Sequence, residues 1–150
     1  MPRLYLDVCC LNRPFDDQTQ DRVRLEAEAV LLILTRLEEG EEWQWIGTEA
    51  LDFEIDQTPD LERRLQVKLV AAHAHHSVLV ERTEIERAEQ LEALGFHPFD
   101  ALHIACAESG GVEVFLTTDD QLLRLACRLS GGLRLRVGNP LVWLREVMER

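Results

Sequence analysis

Apolar and polar residues follow two periods along this chain, and the changes of period mark its elements. Short apolar runs of strand character occur at Arg3–Val8, Trp43–Ile46, Ser77–Val80, Val112–Leu116 and Leu133–Val137. Between them apolar residues recur at three- and four-residue spacing. That spacing predicts a long helix from Thr19 or Gln20 to Glu39, closed by Gly40, and helices over Thr48–Ile55, Asp60–His75, Thr83–Leu94 (ended by Gly95), Phe99–Glu108 and Asp120–Arg128. A last helix is led by Pro140, and Arg13–Asp17 reads as a loop. Strands alternating with helices imply a parallel sheet covered on both faces, the α/β class.

Composition adds bounds. A chain of 150 residues, 46% hydrophobic, buries one real core, so one domain spanning residues 1–150 is expected. The longest apolar stretch, Ala29–Leu34, is far short of the roughly 18 residues a membrane span needs. The opening Met1–Asp7 has no signal-peptide pattern and already reads as a strand, so a cytoplasmic protein is expected. Cys9 and Cys10 are adjacent, Cys106 and Cys127 isolated, and no CxxC pair occurs; small buried hydrophobes in a reducing compartment are the expectation. Trp43 and Trp45, alternating about Gln44, read as core or interface residues. His73, His75 and His76 lack one-face helical spacing and mark a helix end rather than a zinc site.

Acidic residues carry the candidate chemistry. Asp7, Glu54, Asp100 and the pair Asp119–Asp120 stand where apolar strands end or helices begin. In open α/β sheets such positions converge on the crevice at the carboxyl ends of the strands. Gathered carboxylates repel unless a cation holds them, and hard oxygen ligands suit Mg²⁺ or Mn²⁺ in phosphate chemistry. Asp7, Asp100 and Asp119 are the expected ligands, with Glu54 completing the site directly or through water. Each acid also has a plain reading: Asp7 and Asp100 as helix caps, Glu54 as part of a solvated face with Glu49, Asp52 and Asp56. Taken together, the metal site is the stronger reading. Thr117 and Thr118 could orient a carboxylate or phosphate. His103, three residues after Asp100, reads as core rather than as ligand or base.

Net charge is −12, which argues against a polyanionic substrate, but it is polarised: residues 121–150 hold six arginines against Glu146 and Glu149, +4, leaving −16 elsewhere. Arg134 and Arg136 are the candidate RNA contacts, and simple charge balance is the equal alternative.

The run Leu4–Asp7, Thr48 with Glu54 six residues on, the helix start Asp100-Ala101-Leu102-His103-Ile104-Ala105, and the strand end Leu116-Thr117-Thr118-Asp119-Asp120 resemble, in order, the four motifs of PIN-domain nucleases, including the VapC-like ribonuclease toxins. The resemblance covers nearly the whole chain. It implies a three-layer α/β/α sandwich with a central parallel sheet, an acidic site of Asp7, Glu54, Asp100 and Asp119, one or two Mg²⁺ or Mn²⁺ ions, and hydrolysis of RNA. It also implies a homodimer and a small antitoxin that blocks the site. Two positions depart from the pattern. Cys9 stands where a small polar residue supports the first Asp, and the doubled acid leaves Asp120 as helix-start acid or substitute ligand. An inactive PIN-like domain that binds RNA or protein is the alternative function. A receiver domain would need a lysine at a late strand end, yet Lys68 is the only lysine and falls in a predicted helix; an aspartyl phosphatase would need Asp-x-Asp where Asp7-Val8-Cys9 stands.

The long helix adds a reading about partners. Val23, Ala27, Val30, Leu31, Leu34 and Leu37 form one stripe, widened by Ala29, Leu32 and Ile33 beyond a single sheet contact. Either a second chain or the Asp60–His75 helix covers the excess.

Overall fold

In the computed structural model, which describes residues 1–150, the apolar runs form β1 (Arg3–Leu6), β2 (Gln44–Thr48), β3 (His76–Val78), β4 (Val114–Leu116) and β5 (Arg136–Gly138) of one sheet, ordered β3-β2-β1-β4-β5. Every neighbouring pair is parallel, with Leu4 opposite both Trp45 and Val114. Parallel strands need a crossover between each pair, so helices cover both faces and the sandwich has three layers. The central strands accordingly have no solvated face: Leu4, Tyr5, Leu6, Phe115 and Leu116 are fully buried.

Eight helices supply the layers: α1 (Val8–Asn12), α2 (Asp21–Glu39), α3 (Glu49–Asp56), α4 (Leu61–Ala71), α5 (Arg82–Leu94), α6 (Pro98–Ser109), α7 (Asp120–Arg128) and α8 (Pro140–Met148). Several starts have a local cause. Thr48 caps α3 by accepting from Leu51 N, Asp60 caps α4 and Asn139 caps α8, whose Pro140 needs no donor partner in the first turn. Gly40, at φ 70°, ends α2 in the left-handed region that side chains disfavour. The stripe α2 buries is Val23, Ala27, Val30, Ile33 and Leu37, with Ala29 beside it. Each fully buried Ile or Leu stabilises by about 1.5–3 kcal/mol, so this seam fixes how α2 lies on the sheet. Leu31 and Leu32, read from the sequence as part of the apolar stripe, remain exposed.

Several boundaries differ from the sequence pattern. β1 stops at Leu6 because the Asp7 side chain caps α1, and Arg13–Phe15 is a turn of 3₁₀-helix rather than a loop. α4 ends at Ala71, four residues early, because the His75 backbone and ring both bond Trp45 of β2. β5 begins at Arg136 rather than Leu133: the Arg134 amide is taken by the Glu108 side chain at 2.8 Å, and pairing starts only where Arg136 N reaches Glu113 O. Trp43 and Trp45 are buried, Trp43 packing on Trp143, as core residues. All four cysteines are free. Cys10 and Cys106 are buried, as expected, whereas Cys127 is exposed. No helix is long and apolar enough to cross a membrane.

The chain runs from β1 outward to β2 and β3, then returns to the other side of β1 for β4 and β5. Strand order therefore reverses between β1 and β4, and the crevice of such a sheet opens at the carboxyl ends of these two strands.

Candidate active site

Asp7 follows β1 immediately and is almost fully buried. One carboxylate oxygen accepts from Val8 N at 2.9 Å and so caps α1; the other accepts from Thr117 Oγ1 at 3.0 Å. Capping and site-building are thus two uses of one carboxylate. Burial raises the Asp7 pKa; His103 and the two hydrogen bonds pull it down, Glu54 pushes it up, and the net shift is upward. Thr117, the first residue past β4, also accepts from Asp119 N at 3.2 Å and so ties Asp7 to the next acid.

Glu54 comes from α3. Its Oε1 lies 2.8 Å from His103 Nε2, the other ring nitrogen bonds Tyr5 Oη, and Tyr5 Oη lies 3.2 Å from Thr48 Oγ1. Thr48 in turn caps the helix that carries Glu54. The chain closes on itself, and its donors can be counted. With a neutral ring, Thr48 donates to Tyr5, Tyr5 to Nδ1, and Nε2–H to the Glu54 carboxylate; with a charged ring the Tyr5 and Thr48 hydroxyls reverse. Desolvation alone would depress the His103 pKa, but Glu54, Asp7 and Asp100 outweigh it and the shift is upward. Either way both ring nitrogens are committed. His103 has no solvent exposure, as the core reading required, yet its polar edge belongs to the site. Tyr5 carried no sequence signal of its own, although it stands two residues before Asp7 on the same face of an extended strand, whereas Thr48 was legible as a helix start six residues before Glu54.

Asp100, in the first turn of α6, is half-buried. Burial first, then the charges of Asp7 and Asp119 against the opposing His103 and His97, push its pKa up to about 6. The charges of Asp7 and Asp119 thus both reach Asp100. Asp119 caps α7 by accepting from Gln121 and Leu122 amides. Asp120 turns elsewhere: Arg22 grips both its oxygens at 2.7 Å and holds its pKa low. Single ligand atoms of Asp7, Glu54 and His103 lie within 4.8 Å of one another. Because His103 spends both nitrogens on neighbours, carboxylate oxygens are the donors left, a hard set that fits Mg²⁺ or Mn²⁺.

The Cys9 thiol lies 3.6 Å from Asp7 Oδ2 and 3.3 Å from Thr117 Oγ1, and accepts from Thr118 N. It occupies the supporting position that the sequence pattern assigns to a polar residue. Arg134 and Arg136 are not brought to the carboxylates. Arg136 pairs with Val114 at the opening of β4, the opposite end from Asp7, and its guanidinium is held by Glu146 at 2.6 Å.

The PIN domain family model matches residues 5–127, from β1 through α7. The chain belongs to the PIN domain family. PIN domains are nuclease domains, and Asp7, Glu54, Asp100 and Asp119 all lie within the segment that the family match spans. No curated protein matches the chain by sequence. Among solved structures, the PIN fold here is similar to the DNA-bound VapBC complex of Salmonella typhimurium (TM-score 0.62, 16% identity, 93% of this chain and 99% of that one). It is also similar to VapBC2 of Rickettsia felis bound to a promoter DNA fragment (0.56, 11%, 91% and 98%) and to FitAcB of Neisseria gonorrhoeae (0.54, 14%, 91% and 97%). At these identities the likeness is one of fold.

Proposed function

We propose that this PIN domain is a metal-dependent endoribonuclease, with Mg²⁺ or Mn²⁺ held by Asp7, Asp100 and Asp119 and with Glu54 completing the site. The observation that carries the reading is that acids from separate segments stand at the carboxyl end of the sheet, with Asp7 raised in pKa by burial and by Glu54, and Asp100 by burial and by Asp7 and Asp119. A site that is strained without a cation is relieved by one. Such an ion supplies water of lowered pKa and neutralises charge on a phosphodiester. The chain's own residues do the rest: Thr117 and the Val8 amide hold the Asp7 carboxylate, the His103–Tyr5–Thr48 chain holds Glu54, and the Gln121 and Leu122 amides hold Asp119. No protein nucleophile is required. Purified protein should cut RNA with Mn²⁺ and not with EDTA, and Asp7→Asn should abolish cleavage while the fold persists; activity retained in Asp7→Asn would sink the assignment.

A toxin role in a toxin–antitoxin pair extends this reading, supported by the fold shared with the VapBC and FitAcB complexes. The antitoxin would be a small protein that covers the acidic site, and both would act in the cytoplasm. A homodimer is proposed from α2 and α4. Leu31 and Leu32 on α2, and Leu65 and Leu69 on α4, are all exposed, and the two helices flank a depression lined by Leu31, Leu34, Leu69 and Val70. Light scattering should give twice 17.3 kDa, and 17.3 kDa at every concentration would refute the dimer. Arg134 remains a candidate contact for distal RNA, since no carboxylate pairs with its guanidinium.

A further inference from the structure

Rings form an ordered series that leads from the core to the surface. Tyr5 and His103 are 5.8 Å apart between centroids, His103 and Phe99 5.3 Å, and Phe99 and Phe53 5.9 Å with planes only 22° apart. Exposure rises along it. Tyr5 and His103 are fully buried, Phe99 is half-buried and Phe53 is 58% exposed. Phe53 directly precedes Glu54, and Phe99 directly precedes Asp100, so the outer rings are attached to the same turns of α3 and α6 as two of the site acids.

A lone exposed Phe needs no explanation. This one is held: its inner side stacks on Phe99, which packs on His103, the residue bonded to Glu54, and its outer side meets solvent. Offset stacking on a fixed ring presents a flat π surface at little entropic cost. Charge sharpens the case. The chain carries −12, and the arginines of the segments that adjoin the site are already paired: Arg13 with Glu26 and Asp16, Arg22 with Glu26 and Asp120, Arg63 with Asp16. Beyond an ion at the carboxylates, the protein's own cations near the site therefore supply little affinity for a polyanion. Base stacking on an aromatic ring adds affinity for a single strand that does not depend on phosphate neutralisation.

We propose that the exposed face of Phe53 is a nucleobase subsite, stacking one base of a single-stranded RNA next to the phosphate that lies at the carboxylates. The proposal rests on the ribonuclease reading and adds how the substrate is held. It takes any base, since every base has a π face, and it excludes strands whose bases are paired and stacked in a duplex.

The test uses Asp7→Asn protein, in which cleavage is silenced, and a mixed-sequence single-stranded RNA oligonucleotide followed by fluorescence anisotropy. Adding Phe53→Ala should weaken binding about 5- to 150-fold, the range for one lost base–aromatic stack. The slope of log affinity against log salt should not change, because stacking releases no counterions. Phe53→Trp should restore binding and Phe53→Leu should not. Because Phe53 is exposed, truncation leaves the core intact, and an unchanged melting temperature confirms it. Equal affinity in Phe53→Ala, or full rescue by Leu, would overturn the subsite; rescue by Leu would mark the ring as an apolar contact such as a protein partner makes. The two readings fail separately. If protein with Asp7 intact cuts RNA with Mn²⁺ while Phe53→Ala binds normally, the subsite falls alone; if the intact protein neither cuts nor binds RNA, the ribonuclease reading falls and takes the subsite with it.

Discussion

Replacing Asp100 by Asn should stabilise the metal-free protein at neutral pH while disabling its response to metal. Asp100 is ordinarily a group of pKa 3.8, and in the folded chain burial together with Asp7 and Asp119 brings it to about 6. Between these values the folded state holds a proton that the unfolded chain has lost. Stability is therefore highest below the unfolded value and falls as pH climbs from about 4 through 6, with the full penalty present at pH 7. That displacement corresponds to about 3 kcal/mol, which solvent screening of a half-buried carboxyl reduces to roughly 1–2 kcal/mol. Asn keeps the shape and loses the charge. In EDTA at pH 7, Asp100→Asn should melt roughly 2–8 °C above the wild type, and the two should coincide near pH 4. Added Mn²⁺ should reverse the order: an ion at 100 times its dissociation constant stabilises the wild type by about 2.7 kcal/mol, and the variant, short of a ligand, gains less. Urea denaturation at a series of pH values, with and without Mn²⁺, reads all of this. A variant less stable than the wild type in EDTA at pH 7, or one with the same pH profile, would refute the repulsion argument.

The remaining predictions concern groups that hold others in place. Glu26, with its side chain 1% exposed, accepts from Arg13 at 2.9 Å, Arg22 at 3.3 Å and Asn139 at 2.6 Å; Glu26→Ala should cost about 3 kcal/mol in urea denaturation, and a loss below about 1 kcal/mol would reduce this hub to a surface pair. His103→Phe should lower Mn²⁺ affinity by calorimetry about 10- to 100-fold, with His103→Gln, which keeps a donor for Glu54, losing less. The same His103→Phe change in a Glu54→Gln background should lose little more, and independent, additive losses would show that the histidine does not act through Glu54. Cys9→Ser, which replaces a weak donor beside Asp7 and Thr117 with a stronger one, should hold or raise Mn²⁺ affinity; a tenfold fall would show that the sulfur itself is needed.

Much of the fold was legible because its signals are local and repeated. β1 and β4 read as apolar runs, since central parallel strands are buried on both faces, and Gly40 and Gly95 ended helices where left-handed backbone was required. What escaped was settled by distant partners. The end of α4 depends on His75 meeting Trp45, and the start of β5 on Glu108 taking the Arg134 amide; neither pairing has a sequence period. Only part of the broad apolar stripe on α2 is covered, for a related reason: hydrophobic spacing shows which faces are apolar, whereas packing partners such as α8 decide which one is covered.

The site shows a similar division. Acids at strand ends and helix starts could be picked out one by one, because the topology of an open parallel sheet sends those positions to one place. Their division of labour could not. Asp119 and Asp120 are chemically alike and adjacent, and only Arg22, ninety-eight positions before Asp120, separates them by drawing Asp120 into a bidentate pair and leaving Asp119 to face Asp100. Charge summed along the chain is equally silent about position. The arginines after residue 120 looked like a substrate surface, yet the parallel register puts Arg136 at the amino-terminal edge of the sheet, paired with Glu146, while the acids gather at the opposite edge. On the ribonuclease reading, an acidic protein whose arginines near the site are already engaged holds its substrate partly by other means, and the ring series that ends at Phe53 offers one.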